Sequence, residues 1–219
     1  MHNEGRRGAD VAELIAVGRD REAARRGAES HTNGGSMDPL TQLDLLAPEL
    51  AAVVAGITPA DLDRPTPCTD FNVRSVLEHM IGGATTFAAA YRGTTPASPD
   101  TSDQLAAFGP ALGDLAAAIT APGALDRTVA APFGDVDGET FARFVVLDGL
   151  VHGWDLATAT GQPYDPPAAL VDAVDAFARQ TLDPLRDGVT FGTPVRPPAG
   201  ATRIEQLAAF TGRRTREEP

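Results

Sequence analysis

The sequence predicts an all-α protein, a bundle of four long helices plus a shorter one. Three observations carry this. Hydrophobic residues make up 42% of the chain but aromatics only 5%, so the core must be built from Ala, Leu and Val, which suits close-packed helices. Apolar residues recur at helical spacing in successive segments. Those segments are bounded by N-cap residues, Pro and Gly where helices start and stop. At 219 residues the chain is long enough for one domain with a substantial core.

Taken in order, residues 1–36 read as an N-terminal extension, disordered or a lone helix. DVAELIAVGRDREAARRGAES carries only a thin apolar stripe, and HTNGGS has linker composition. Met37 follows at once, and the expectation is that it is the true start; His2 and His31 then carry no functional weight. Helix 1 is predicted over about 39–56, with Asp38 as N-cap, Pro39 at the first helical position, and Leu43, Leu46, Leu50, Val53 and Val54 recurring at helical spacing. Pro59, Pro65 and Pro67 make TPADLDRPTPCTDFN a connection. Helix 2 begins near Asn72 and runs to about Tyr91, with Val76, His79, Met80, Gly83 and Phe87 on one stripe that places His79 on the buried face. Gly82 and Gly83 each weaken it by roughly 1 kcal/mol relative to Ala; they serve either close helix packing or room for a ligand. After a Pro-, Ser- and Thr-rich loop, helix 3 is predicted over about 103–120. Residues 121–138 read as a loop with extended character. Helix 4 spans about 139–160 with Gly161 as C-cap, and helix 5 about 167–182. A short helix covers 203–211. The bundle domain is expected over 37–212, and 213–219 as a disordered tail.

Charge and composition exclude several functions. The formal net charge is −12, and residues 37–202, with eight Arg and 21 acids, carry the excess. Such a body repels nucleic acid and anionic membranes, so neither is an expected partner. There is no Lys, which removes Schiff-base chemistry and a P-loop Lys. One Cys, Cys68, excludes an intrachain disulfide and a Cys-based zinc cluster. No apolar run reaches the ~18 residues that span a bilayer, and the N-terminus lacks a signal-type apolar stretch. The expectation is a soluble cytoplasmic protein. A homodimer through helix faces is compatible with the sequence.

The informative stretch is FARFVVLDGLVHGWDLATATG, Phe141 to Gly161. Asp148 and His152 lie four residues apart, so about 40° apart around a helix and about 6 Å along it. Two ligand-type side chains thus leave one face. A third ligand must come from elsewhere, and His79 is the one remaining His outside the extension. Two imidazoles and one carboxylate suit zinc, with nickel and ferrous iron as alternatives, and leave a coordination position open. Asp155, one turn beyond His152, is placed to accept the outward imidazole N–H. Each feature also has a plain reading. A His on an apolar face is commonly a hydrogen-bonded core residue, and an Asp–His pair at this spacing is commonly a surface ion pair. Cys68 reads as a buried inert thiol and Arg74–Glu78 as a surface pair.

At TPCTDFNVRSVLEHMIGG and LDGLVHGWDLATATGQ the chain resembles the DinB/YfiT-like metal-binding proteins, in the branch containing the N-terminal domain of mycothiol-dependent maleylpyruvate isomerase. The likeness covers roughly residues 40–212. It implies an up-down-down-up four-helix bundle with a metal at one end, held by His79, Asp148 and His152. The family's Glu is Asp148 here, and its usual Trp is Phe71. The isomerase has a further C-terminal domain for thiol binding, which this chain is expected to lack. The resemblance implies a metal that activates a low-molecular-weight thiol, such as mycothiol, toward a small electrophile, as a thiol S-transferase, an isomerase or a hydrolase-like enzyme. The alternative is a metal-containing module that binds or senses a ligand without turnover.

Overall fold

The computed structural model describes residues 37–131, 134–186 and 191–214; the expectations for 1–36 and 215–219 lie outside them. Six helices form where the sequence places them. Helix α1 is Pro39–Ala55, and the Asp38 carboxylate accepts the Leu40 and Thr41 amides at 3.1 and 3.0 Å. Helix α2 is Val73–Arg92, entered through a reciprocal cap: Asn72 Oδ1 accepts the Ser75 amide at 2.9 Å and Ser75 Oγ accepts the Asn72 amide at 2.9 Å. Helix α3 is Gln104–Ile119 and α4 is Gly138–Thr160, the latter closed by Gly161 at φ 71°. Helices α5 and α6 are Ala168–Thr181 and Arg203–Phe210.

The stretch predicted as loop holds the one departure. Strands β1 (Thr128–Ala131) and β2 (Gly134–Asp137) form an antiparallel hairpin, pairing Thr128 with Asp137 and Ala131 with Gly134. Among the strand residues Val129 alone is fully buried. Four-residue strands with one buried side chain leave no alternation to read. Asp137 ends β2 and caps α4, its carboxylate accepting the Thr140 amide at 2.8 Å.

Helix directions follow from the bonds between helices. Arg74 donates to Gln104 (3.3 Å) near the start of both helices and Arg92 to Asp114 (2.7 Å) further along, so α2 and α3 run parallel. Arg143 donates to the Met37 carbonyl (3.0 Å) and Gln162 to the Val53 carbonyl (3.0 Å), so α1 and α4 run parallel. The Tyr91 hydroxyl donates to the Gly138 carbonyl (2.7 Å), joining the end of α2 to the start of α4, so that pair is antiparallel. The bundle is therefore up-down-down-up. Parallel α2 and α3 need a return along the full 16-residue length of α3, about 24 Å; the exposed residues between them, extended at about 3.3 Å each, cover it.

Helix α4 is the enclosed one, with Leu147, Leu150, Val151, Trp154 and Leu156 all buried. Gly149 and Gly153 lie four residues apart on its α1 side. A Cβ at Gly149 would stand 2.9 Å from Leu46 Cδ2, and one at Gly153 2.9 Å from Leu50 Cδ2. These glycines are what let α1 come so close. Among the described residues no helix is long and apolar enough to cross a membrane.

Candidate metal centre

The two antiparallel helices bring His79, Asp148 and His152 together across 69 residues of sequence. His79 Nε2 lies 3.4 Å from Asp148 Oδ1, and His152 Nε2 lies 3.5 Å from the same oxygen. One donor atom from each residue lies within 4.8 Å of the others. Ligands at about 2.0–2.1 Å from a tetrahedral ion stand about 3.3 Å apart, and the two His–Asp148 separations are close to that spacing. The imidazole rings are 4.9 Å apart at 63°, and Phe71 meets His79 edge-on at 6.0 Å.

Exposure gives the centre a direction. His152 is 7% exposed at its side chain, while His79 is 34% and Asp148 40% exposed. Contrary to the expectation of a buried stripe, His79 lies at a solvent-facing seam. Burial by itself would raise the Asp148 carboxyl; the positive charges of His152 and His79, with the hydrogen bond from His79, outweigh it and hold the group well below the usual carboxylate range.

Behind His152 the site is closed. Asp155 is fully buried, and its Oδ2 lies 3.0 Å from His152 Nδ1. A carboxylate can only accept, so Nδ1 donates in this contact, and Nε2 is the nitrogen turned toward Asp148. Arg213 approaches the same oxygen through Nε and Nη2, both at 3.4 Å, and places Nη2 3.8 Å from Cys68 Sγ. Asp155 Oδ1 has no hydrogen-bond partner among the described residues. Burial opposes the charge on Arg213, and the surrounding anionic groups, Asp155 foremost and Asp148 with it, together more than restore it.

Cys68, His152 and Asp155 form a second cluster with donor atoms within 4.8 Å. It is the poorer cation site, because the Arg213 guanidinium already neutralises Asp155 and would repel an ion beside Cys68. Burial, with the Asp155, Asp148 and Asp70 carboxylates, pushes the Cys68 thiol up to about 11 against the opposing pull of Arg213. Cys68 is also tied into a tight loop. The Phe71 amide donates to its carbonyl at 3.1 Å, and so does the Thr66 hydroxyl at 3.2 Å.

Of the other residues singled out by sequence, Arg74 and Glu78 meet through Gln104, whose Oε1 accepts from Arg74 at 3.3 Å and whose Nε2 donates to Glu78 at 3.0 Å. Trp154 is 6% exposed and belongs to the core. Arg213 is the residue that sequence reasoning missed. It falls in the stretch expected to be a disordered tail, yet its side chain is only 11% exposed against Asp155. No local pattern marks it, since its partners lie 58 and 145 positions away.

Two proteins of Mycobacterium tuberculosis, MT0763 of strain CDC 1551 and Rv0738 of strain H37Rv, both described as uncharacterized, are each 35% identical over 191 residues. Those alignments cover 82% of this chain and all of each relative. No solved structure gives a significant match. The model of the mycothiol maleylpyruvate isomerase N-terminal domain matches residues 43–157, a span that takes in His79, Asp148 and His152. By that match, which covers more than half of the chain, the protein belongs to the mycothiol maleylpyruvate isomerase N-terminal domain family.

Proposed function

We propose that this protein is a metal-dependent enzyme that activates a low-molecular-weight thiol of the mycothiol type toward a small electrophile. The observation that carries the reading is the triangle of two imidazole nitrogens and one carboxylate oxygen, spaced as ligands of one ion and open to solvent on one side. His79, Asp148 and His152 would hold the ion, and the donor set favours zinc. A divalent ion held there supplies a Lewis acid that lowers the pKa of a thiol or water in the remaining position. The chain's own residues do the rest. Asp155 fixes the His152 tautomer, and Arg213 balances Asp155 so that the carboxylate remains an acceptor without water. Cys68 stays protonated at neutral pH and does not compete as a nucleophile.

The test begins with elemental analysis of protein purified without a His tag. The expected result is one divalent ion per chain. The His79→Ala variant should lose it while its helical circular dichroism is retained; stoichiometric metal in that variant overturns the ligand assignment. Cobalt-substituted protein titrated with a small thiol should then develop a thiolate-to-metal charge-transfer band. No spectral change with any thiol removes the transferase version.

A further inference from the structure

After α6 the chain turns back onto α4, and the turn is made at Gly212, whose φ is 94°. A Cβ there would stand 2.9 Å from the Gly192 Cα, so two stretches of backbone meet with no side chain between them. Gly192 is itself tied down, its carbonyl accepting from Arg186 at 2.6 Å. The next residue, Arg213, donates its amide to the Ala208 carbonyl at 3.0 Å and lays its guanidinium on Asp155. The aim of that side chain is thus built by two segments that supply none of the three candidate ligands. At the far end of the contact, His152 Nδ1 and the Arg213 Nε and Nη2 converge on one oxygen, Asp155 Oδ2, while Oδ1 has no partner among the described residues. Asp155 is 0% exposed, so bulk solvent does not help to hold it.

We propose that Arg213 is a positioning residue for the metal centre: through Asp155 it holds the His152 ring with Nε2 turned toward Asp148, and so couples ion binding to the docking of residues 211–214. The hold on His152 stands on the hydrogen bonds alone, and the coupling rests on the metal-centre reading above. Removing one partner of a buried ion pair leaves an uncompensated charge, which is costly. Without Arg213 the Asp155 carboxylate would be left with the imidazole alone, and it would turn or draw in water to regain partners. Either change loosens the bond to Nδ1 that sets the ring. The coupling is reciprocal: an ion that fixes His152 also fastens Arg213 in its place.

Two measurements test this, one of them without metal. In metal-free protein the His152 Nδ1 proton should give a downfield magnetic resonance signal protected from solvent exchange, because its bond lies in a closed pocket. Arg213→Met should lose that protection, and Arg213→Lys should restore part of it. An unchanged signal in Arg213→Met overturns the proposal outright. In protein titrated with cobalt, Arg213→Met should weaken binding by about 10–100-fold, with circular dichroism checking the helical fold. Gly212→Ala keeps the guanidinium but disturbs its aim; it should weaken binding in the same direction, and it serves as the test if Arg213→Met fails to fold. In an Asp155→Asn background the neutral amide still accepts from Nδ1 and needs no counter-charge, so there Arg213→Met should no longer weaken binding. Equal weakening in both backgrounds overturns the proposal, since Arg213 would then act on the fold and not through Asp155. Cobalt affinity unchanged in Arg213→Met overturns the coupling and leaves the metal reading standing. A wild type that binds no cobalt, but whose protected Nδ1 proton is exposed by Arg213→Met, upholds the hold on His152 and overturns the metal reading together with the coupling.

Discussion

His152 is the residue on which the site turns, because its two nitrogens face different chemistry. Nε2 looks toward Asp148 and His79, and Nδ1 toward Asp155 at 3.0 Å. The sequence carried the first half of this plainly: helical spacing puts Asp148 and His152 on one face, and Asp155 follows within a turn. It carried nothing of the second half, because Arg213 packs on Asp155 only once the chain end has folded back over α4. The thiol beside it gives a clean test. With burial pushing Cys68 up to about 11, its thiolate is scarce at neutral pH. Iodoacetamide should alkylate it on the order of a hundredfold more slowly at pH 7 than a free thiol of ordinary pKa. Arg213→Leu should slow it further, since Arg213 is the group that pulls the thiol down. Alkylation at the rate of a free thiol, followed by mass spectrometry, would show that burial does not hold the Cys68 thiol protonated.

At the scale of the element, glycines of the same composition do opposite work, and only the neighbours tell them apart. Gly82 in α2 faces open space, so Gly82→Ala relieves a helix penalty without a clash and should raise stability by about 0.5–1 kcal/mol. In α4 a Cβ at Gly153 would stand 2.5 Å from the Tyr164 hydroxyl and 2.9 Å from Leu50 Cδ2. That hydroxyl donates to the Leu150 carbonyl at 3.1 Å, so moving it costs a hydrogen bond as well as packing. Gly153→Ala should therefore lower the urea midpoint and Gly82→Ala raise it; the same sign for both would refute the packing argument. Helix ends were legible from local chemistry, as Asp38, Asn72 and Gly161 show, since a cap needs only its own few residues. The β1–β2 hairpin was not, because Val129, with Ala131 and Val136, packs on bundle residues distant in sequence, and four-residue strands carry too little pattern of their own. Nor did spacing supply helix direction. The parallel α2–α3 pair depends on the long return between them, which the family resemblance implied and periodicity did not.

For the whole molecule, the candidate centre is a clasp between the two halves of the bundle. Parallel α1 and α4 form one half and parallel α2 and α3 the other, and the ligands span both: His79 from α2, Asp148 and His152 from α4. An ion bound only by the folded chain stabilises it by RT ln(1 + [L]/Kd), so zinc at a hundredfold excess over its Kd contributes about 2.7 kcal/mol. For a domain of this size that is a rise in Tm of about 5–10 °C. The pH dependence follows from which ligands hold protons. Protons compete with a metal for imidazole nitrogen, so apparent zinc affinity falls in acid. Asp148 is held ionised well below the usual carboxylate range and does not take up a proton in competition with the ion. The zinc-induced rise in Tm should therefore shrink as pH is lowered from about 8 to about 5. Differential scanning calorimetry with and without zinc across that range measures this directly. A zinc increment that survives at pH 5, or one of equal size in His79→Ala, would mean that the ion is held somewhere other than between these two helices.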